Sequence, residues 1–204
     1  MSTIYDVVTL TVNVGATGDA LAKIREAAPA DGATLLGVWF SDIGTLGKIM
    51  ILRSFESTEA QVAARKQMLL EGNPFGTAGL ITDVTTDSYA PFPFLPPIAT
   101  GEFGAVYEMR VYGIKLAGLQ PTIDAWEKAI PERIKASPLV GAMYALDGAS
   151  PRFLNIWPYA SLNDRSRIRG ETVKQGIWPP KGGPANLTTM ESTIYMPAPF
   201  SPLR

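Results

Sequence analysis

The residues best suited to chemistry lie in one short apolar segment, where Glu108 precedes Arg110 by two positions. Because successive side chains of a β-strand point to opposite faces, Glu108, Arg110 and Tyr112 are predicted to share one face of a strand. A carboxylate there can act as a general base, and a guanidinium can hold a carboxylate, a phosphate or a developing negative charge. The same spacing suits a plain buried ion pair, so a structural role stays open beside the catalytic one.

Two residue types that carry much of enzyme chemistry are missing, because the sequence contains no Cys and no His. Without Cys there are no disulfides, thiolate nucleophiles, iron–sulfur clusters or Cys-bound zinc sites. Without His, a Ser-His-Asp triad and His-bound metals or haem are excluded. We therefore predict no metal and no cofactor, and acid–base chemistry must fall to Asp, Glu, Tyr, Lys or a group of the substrate.

The elements that position these residues are indicated by an internal repeat, in which the second half of the chain follows the first at an offset of 102 to 106 residues. Both copies end in the pattern Y-x-P-x-P-F, which is improbable by accident. The clearest matches are 4–9 with 106–111 and 89–94 with 195–200. We interpret the chain as a tandem duplication, with a first module at residues 1–98 and a second at 99–204.

Each module is predicted to fold as strand, helix, strand, strand, helix, strand, which is the ferredoxin-like βαββαβ order. Ser57 and Ser161 are suited to cap the second helix of each module. Apolar residues at helical spacing mark the first helices, and each set is followed by a proline that ends or kinks a helix: Leu21, Ile24, Ala28 and Pro29, then Ile123, Trp126, Ile130 and Pro131. The predicted strands are 4–14, 35–40, 48–53 and 80–89, then 106–116, 139–145, 153–157 and 187–195, with a linker at 90–100.

A four-stranded sheet with helices on one face leaves its other face bare. The two sheets are therefore predicted to cover each other in an α+β fold of the dimeric α/β-barrel type, with the helices outside. We expect a functional cavity between the sheets. In the strand at 106–112, Tyr107, Met109 and Val111 would pack on the helices, and the face with Glu108 would point inward.

The predicted site combines residues of both modules. Asp6 and Arg53 occupy the matching positions in the first module, whose other inward positions are apolar. Trp178 precedes a segment rich in Pro and Gly at 179–184, which we interpret as a loop that closes over the cavity. The predicted catalytic residues are Glu108, Arg110 and Asp6, and the predicted substrate-binding residues are Tyr112, Asn155, Trp157, Arg53 and Trp178.

The second module also resembles a known family. Its first strand has the pattern Y-E-x-R-x-Y at 107–112, and the pattern W-x-Y-x-S-x-x-x-R follows at 157–165. These motifs are similar to those of the NIPSNAP family, and the resemblance covers most of residues 104–200. In the first module, Asp6 stands where the pattern has Glu, and Arg53 where it has Trp. The resemblance implies a dimeric α/β-barrel fold and little about activity, because that family is described mainly through vesicular and mitochondrial association.

Composition limits the partners. The 18 Lys and Arg residues nearly match the 19 Asp and Glu residues, so neither nucleic acid nor an anionic membrane is indicated. No apolar run reaches the roughly 18 residues of a spanning helix, and the first residues resemble neither a signal peptide nor a transit sequence, so a cytoplasmic protein is expected. A hydrophobic fraction of 46% indicates apolar surface at an interface, either between the modules or within a homo-oligomer.

Two functions of different classes fit these features. The first is a cofactor-independent enzyme of the isomerase, lyase or oxygenase type, acting on a mostly apolar substrate with an anionic or enolisable group. Glu108 or Asp6 would be its base, with a pKa raised by desolvation, and Arg110 would hold negative charge. The second is a non-catalytic NIPSNAP-like interaction or ligand-binding module. An open cavity lined by the predicted residues favours the enzyme, and a cavity filled by side chains together with an extensive interchain surface favours the module.

Overall fold

Each half of the chain forms four strands and two helices in the predicted order. The computed structural model describes residues 3–27 and 32–204. The first unit contains β1 (Ile4–Val12), α1 (Thr17–Ala27), β2 (Thr34–Ile43), β3 (Lys48–Phe55), α2 (Thr58–Glu71) and β4 (Ile81–Pro91). The second unit contains β5 (Val106–Ile114), α3 (Leu119–Arg133), β6 (Gly141–Ala145), β7 (Arg152–Tyr159), α4 (Leu162–Lys174) and β8 (Leu187–Pro197).

The strands follow the same spatial order in both units, β4-β1-β3-β2 in the first and β8-β5-β7-β6 in the second. The two sheets join at their edges, because β2 pairs with β8 and β4 pairs with β6. All eight strands thereby close into one barrel within a single chain. The helices pack on the outside of the barrel. These findings confirm the predicted α+β class and the barrel arrangement.

The second helix of each unit begins where the sequence favours it. Ser57 and Ser161 cap α2 and α4 as predicted, because each side-chain oxygen accepts a hydrogen bond of 3.1 Å from the backbone N–H three residues later. Gly72 ends α2 with a φ of 62°, a conformation that a residue without a Cβ adopts at little cost. Within the described residues, no helix combines the length and the apolar content that crossing a membrane requires.

Several predicted boundaries differ from the structure or lie beyond it, and the strand ends differ by a few residues. Pro131 does not end α3, which continues to Arg133. The proline removes one backbone donor, and the helix ends two residues after it. Pro91 still belongs to β4, where it pairs with β6, so the predicted linker starts later than residue 90. Ala28 and Pro29 lie outside the described residues.

The interior of the barrel is an apolar core to which all eight strands contribute. Trp39 and Tyr107 lie against each other there, with ring centroids 5.3 Å apart. The cavity that was expected between the sheets is therefore filled by side chains of the described residues. The buried members of this core are Tyr5, Val7, Leu36, Trp39, Met50, Leu52, Tyr89, Tyr107, Met109, Met143, Ala145, Leu154, Ile156, Tyr195 and Leu203.

The two faces of β5 are opposite to the prediction. Tyr107 and Met109 point into the barrel core, and Val111 packs against that core. Glu108 lies on the outer face, where it pairs with Arg165 of α4. Both faces of a closed barrel covered by helices are buried, so burial alone does not distinguish them. The charged residues lie outside because α4 supplies arginines there, whereas the interior is apolar.

Candidate functional site

The central feature of the second unit is a buried carboxylate held by arginines. Glu108 is fully buried, and its side chain accepts hydrogen bonds from Arg165 at 2.6 Å, Ser192 at 2.7 Å and Arg169 at 3.4 Å. The guanidinium of Arg110 pairs with the same carboxylate. The predicted pair of Glu108 and Arg110 therefore exists, but it lies under α4 rather than between the sheets.

Local structure explains why these groups meet. Alternation along β5 directs Glu108 and Arg110 to the outer face of the sheet. Arg165 and Arg169 are four residues apart on α4, so they share the helix face that covers the sheet. The N-cap at Ser161 fixes where α4 begins and therefore which residues reach Glu108.

The charge state of Glu108 follows from these contacts. Burial by itself raises the pKa of this carboxyl group, but the hydrogen bond from Arg165 and the charges of Arg110 and Arg169 lower it to about 2. The carboxylate is thus ionised and strongly held at neutral pH. A general base works best when its pKa lies near the operating pH, and our hypothesis required a raised pKa. This environment fits a structural ion pair better than a base.

Four of the predicted residues form one continuous hydrogen-bonded chain. Arg110 donates from Nε to the hydroxyl of Tyr112. Asn155 donates from Nδ2 to the backbone carbonyl of Arg110 at 3.1 Å, and Trp157 donates from Nε1 to Oδ1 of Asn155 at 2.8 Å. Arg110 and Tyr112 share one face as predicted, and Asn155 and Trp157 lie on the same face, which packs beneath the helices.

Aromatic rings cover the sheet on the side of α3. Trp178 contacts Trp126 and Trp157, with ring centroids 4.8 Å and 5.7 Å apart. The guanidinium of Arg133, at the end of α3, lies 4.3 Å from the centroid of Trp157, which is the geometry of a cation–π contact. The predicted residues Trp157 and Trp178 therefore meet in an aromatic cluster that also encloses a cation.

A cleft of about 770 Å³ lies on the outer side of this cluster, between α3 and residues 176–186. One wall is the exposed face of α3, and the other is the segment that follows α4. The segment at 179–184 that we interpreted as a closing loop forms part of this second wall. Lining residues include Ala125, Lys128, Ala129, Ile177, Pro179 and Lys181.

The two predicted residues of the first module belong to a separate cluster. Arg53 donates to Asp6 at 2.6 Å, and Asp6 also accepts from Arg65 at 2.8 Å and from Gln61 at 3.1 Å. Arg65 also pairs with Asp147 of the second unit at 3.0 Å. The predicted set is thus divided between the outer faces of the two units and does not form one pocket.

Arg53 has an aromatic environment of its own. Its guanidinium lies 5.3 Å from the centroid of Phe55 and 5.1 Å from that of Phe75. It also lines a hollow of about 240 Å³, together with Met68 of α2. Phe75 has a φ of 53°, which is unusual for a residue with a Cβ and brings its ring over the arginine.

The predicted site did not include the helix arginines that hold the two carboxylates. Arg65 and Arg169 match each other in the repeat, as do Gln61 and Arg165 at the same offset of 104. Each pair projects from a helix toward a strand carboxylate. This spacing of four on a helix was the available signal for the cluster. Arg133 carried no comparable signal.

Comparison with known proteins finds a family match in the second unit. Residues 107–202 match the NIPSNAP family. The match covers most of the second unit, so this unit is similar to a NIPSNAP domain. A NipSnap homolog of Dictyostelium discoideum is 28% identical over 174 residues, which cover 81% of this chain and 76% of that protein.

Solved structures extend the similarity to the whole barrel. A candidate monooxygenase of Lactobacillus acidophilus superposes with a TM-score of 0.71 at 12% identity, covering 97% of this chain and 94% of that one. Another, from Fusobacterium nucleatum, gives a TM-score of 0.68 at 7% identity over 96% and 92% of the two chains. At such low identity the likeness shows a common fold and not a common activity.

Proposed function

We propose that this chain binds a small, mostly apolar molecule with an anionic group in the cleft between α3 and residues 176–186. The observation that carries the proposal is the size of this cleft, about 770 Å³. Ligand pockets typically measure roughly 300–1,000 Å³. The barrel interior, in contrast, is occupied by packed side chains of all eight strands. A filled barrel is one of the two features that we expected of a non-catalytic module.

The lining of the cleft suits such a ligand. Ala125, Ala129 and Ile177 offer small apolar surfaces for the body of the molecule. Lys128 lies one helical turn from acidic residues on both sides, so its charge is already shared along α3. Lys181 lies on the opposite wall and forms no ion pair within the described part of the chain. The anionic group is therefore expected at Lys181.

The finer hypothesis of a cofactor-independent isomerase, lyase or oxygenase needs a base other than the predicted Glu108, and the carboxylates that line the cleft are Asp124 and Glu132. Glu108 does not line the cleft, and its lowered pKa makes it a weak proton acceptor. Two neighbours of the same fold are candidate monooxygenases, but their identities of 12% and 7% carry no activity to this chain. The geometry of the cleft supports the binding of a ligand. It does not assign a reaction to that ligand.

The test is a titration with aromatic and aliphatic carboxylates, for which 1-naphthoate and decanoate serve as probes, followed by calorimetry. Ala129→Trp fills the cleft, and Ala136→Trp adds the same ring at an exposed position beyond α3. We expect saturable binding that the first variant weakens at least tenfold and the second preserves. Lys181→Gln should weaken binding of the carboxylate but not of the matching alcohol. Equal binding by the two Trp variants would refute the proposal that the ligand binds in the cleft.

A second candidate function, self-association, is favoured by the exposed face of α2. Val62, Leu69 and Leu70 lie along this face, and Leu70 is 77% exposed. At the offset of 104, α4 has Ser166 and Lys174 in place of Val62 and Leu70, whereas Leu69 corresponds to the exposed Val173. A single apolar patch is what a two-fold symmetric dimer requires, because the same patch serves both chains. We propose a second copy of this chain as the occupant.

Molar mass from light scattering after gel filtration tests this candidate. Wild type is expected to be a dimer, and Leu70→Lys, which copies α4, should shift it to a monomer. Leu116→Lys is the matched control, because Leu116 is equally apolar and 88% exposed but lies on the second unit. A monomeric wild type, or a dimer that Leu70→Lys leaves intact, would exclude this interface.

A further inference from the structure

We infer that an anion-binding site, distinct from the cleft and independent of the function proposed for it, lies where Arg133, Arg165 and Arg169 converge beside Glu108. The ligand chemistry is a single oxyanion group, a phosphate or a carboxylate. Arg165 and Arg169 both reach Glu108, and the hydroxyl of Tyr159 interacts with both Arg133 and Arg169. These contacts bring the guanidinium groups of α3 and α4 together.

The first argument is the excess of positive charge around Glu108. Arg110, Arg165 and Arg169 all form ion pairs with this carboxylate. Throughout residues 3–27 and 32–204, none of the three pairs with any other acidic side chain. Three cations thus share one anion, which leaves an excess of two positive charges at a largely buried place. Such an excess attracts an anion from solution.

The first unit provides an internal comparison. The equivalent cluster around Asp6 also includes Asp147 and Arg152 of the second unit, and it contains as many acidic as basic side chains, so its charges cancel. The members are Asp6, Asp87 and Asp147, with Arg53, Arg65 and Arg152. The same fold therefore accommodates a neutral cluster, and the surplus of arginine in the second unit is not a requirement of the barrel.

The second argument is Arg133, whose charge is buried without an acidic partner. Arg133 is only 1% exposed, and it donates to Ser137 at 2.8 Å and to Tyr159 at 3.4 Å. Its Nε has no acceptor, and no carboxylate pairs with it, among the residues that the structure describes. Burial lowers the pKa of Arg133, because removing a charged guanidinium from water without a carboxylate partner costs free energy. Because arginine stays protonated in proteins, an added anion would relieve that cost.

Access to the cluster is available from solvent. The side chains of Arg165 and Arg169 are 25% and 29% exposed, so their outer nitrogens can meet a dissolved anion while the inner ones hold Glu108. Arg167 lies on the same helix but faces away, where its charge is shared by Asp164 and Glu171. It provides a matched control that changes the net charge of α4 without changing the cluster.

The test measures thermal unfolding midpoints in inorganic phosphate, in acetate and in chloride at one ionic strength. We expect phosphate or acetate to raise the midpoint saturably above its value in chloride, and the more effective anion identifies the oxyanion class. Arg169→Gln should raise the apparent dissociation constant at least tenfold, whereas Arg167→Gln should leave it unchanged. Identical midpoints of wild type in the three salts would overturn the inference without any variant.

Two further outcomes separate this site from the cleft. Ala129→Trp should keep the full phosphate response, since Ala129 lines the cleft and not the cluster. If Ala129→Trp abolished the response, the anion would bind in the cleft and the cluster would be excluded. A response that falls equally in Arg167→Gln and Arg169→Gln would mean diffuse attraction to α4 and would also overturn the inference.

Discussion

Replacing Glu108 by Gln preserves the size of the side chain and removes the only negative charge among three arginines. The carboxylate is fully buried and accepts hydrogen bonds from Arg165, Arg169 and Ser192. Removing one partner of a buried ion pair leaves the other charge uncompensated and typically costs about 3–5 kcal/mol. We expect Glu108→Gln to lower the free energy of unfolding at pH 7 by an amount in that range.

The effect should depend on pH in a defined direction. The folded-state pKa of Glu108 is lowered to about 2 from its ordinary 4.5, so the unfolded chain binds more protons in acid. The stabilisation is therefore complete above about pH 4.5 and is lost as the pH falls toward 2. Between neutral pH and about pH 3.5 the loss amounts to roughly 1.4 kcal/mol. The Glu108→Gln variant has no carboxyl group at this position, so its stability should not show this dependence on pH.

Urea unfolding of wild type and variant at both pH values measures the effect directly. The difference in stability between the two proteins should be smaller at the acidic pH by roughly 1.4 kcal/mol. Glu102→Gln is the control, because Glu102 pairs with Arg204 at 3.0 Å on the surface, where such pairs contribute about 0–1 kcal/mol. A Glu108→Gln variant as stable as wild type, or a difference independent of pH, would refute this account of the cluster.

Two matched pairs test the packing of the barrel by urea unfolding. Tyr107→Phe should leave stability unchanged or raise it, because the buried hydroxyl of Tyr107 has no partner among the described residues. Tyr5→Phe should cost about 1 kcal/mol, because the hydroxyl of Tyr5 accepts a backbone hydrogen bond at 2.9 Å. Gly37→Ala should destabilise strongly, since a Cβ there would lie 1.9 Å from the ring of Trp39. Gly170→Ala, with open space around it in α4, should stabilise by about 0.5–1 kcal/mol. The opposite order within either pair would contradict the described core.

The order of the elements could be predicted because their local signals are strong. Ile123, Trp126 and Ile130 recur at helical spacing and are buried in α3, and Ser57 and Ser161 cap the helices that follow them. These signals depend on residues that are close together in the sequence, so they can be recognised in one sequence alone. The division of the chain at residues 98 and 99 and its origin by duplication remain predictions.

The faces of the strands could not be predicted in the same way. Alternation separates Tyr107 from Glu108 correctly, but it does not say which set faces the helices, because a covered barrel buries both sides. The polar set lies outward since Arg165 and Arg169 approach from α4. The faces could have been assigned only by pairing the arginines of the helix with the carboxylate of the strand. Such a pairing is a contact between segments that are distant in the sequence, and alternation along one strand does not indicate it.

The central claim is that ligands bind on the outer face of the second unit and not inside the barrel. A crystal structure of the chain grown with 1-naphthoate tests it most directly. The account predicts ligand density between α3 and residues 176–186, with the carboxylate near the ammonium group of Lys181. Density inside the barrel, with Trp39 and Tyr107 displaced to admit the ligand, would contradict it.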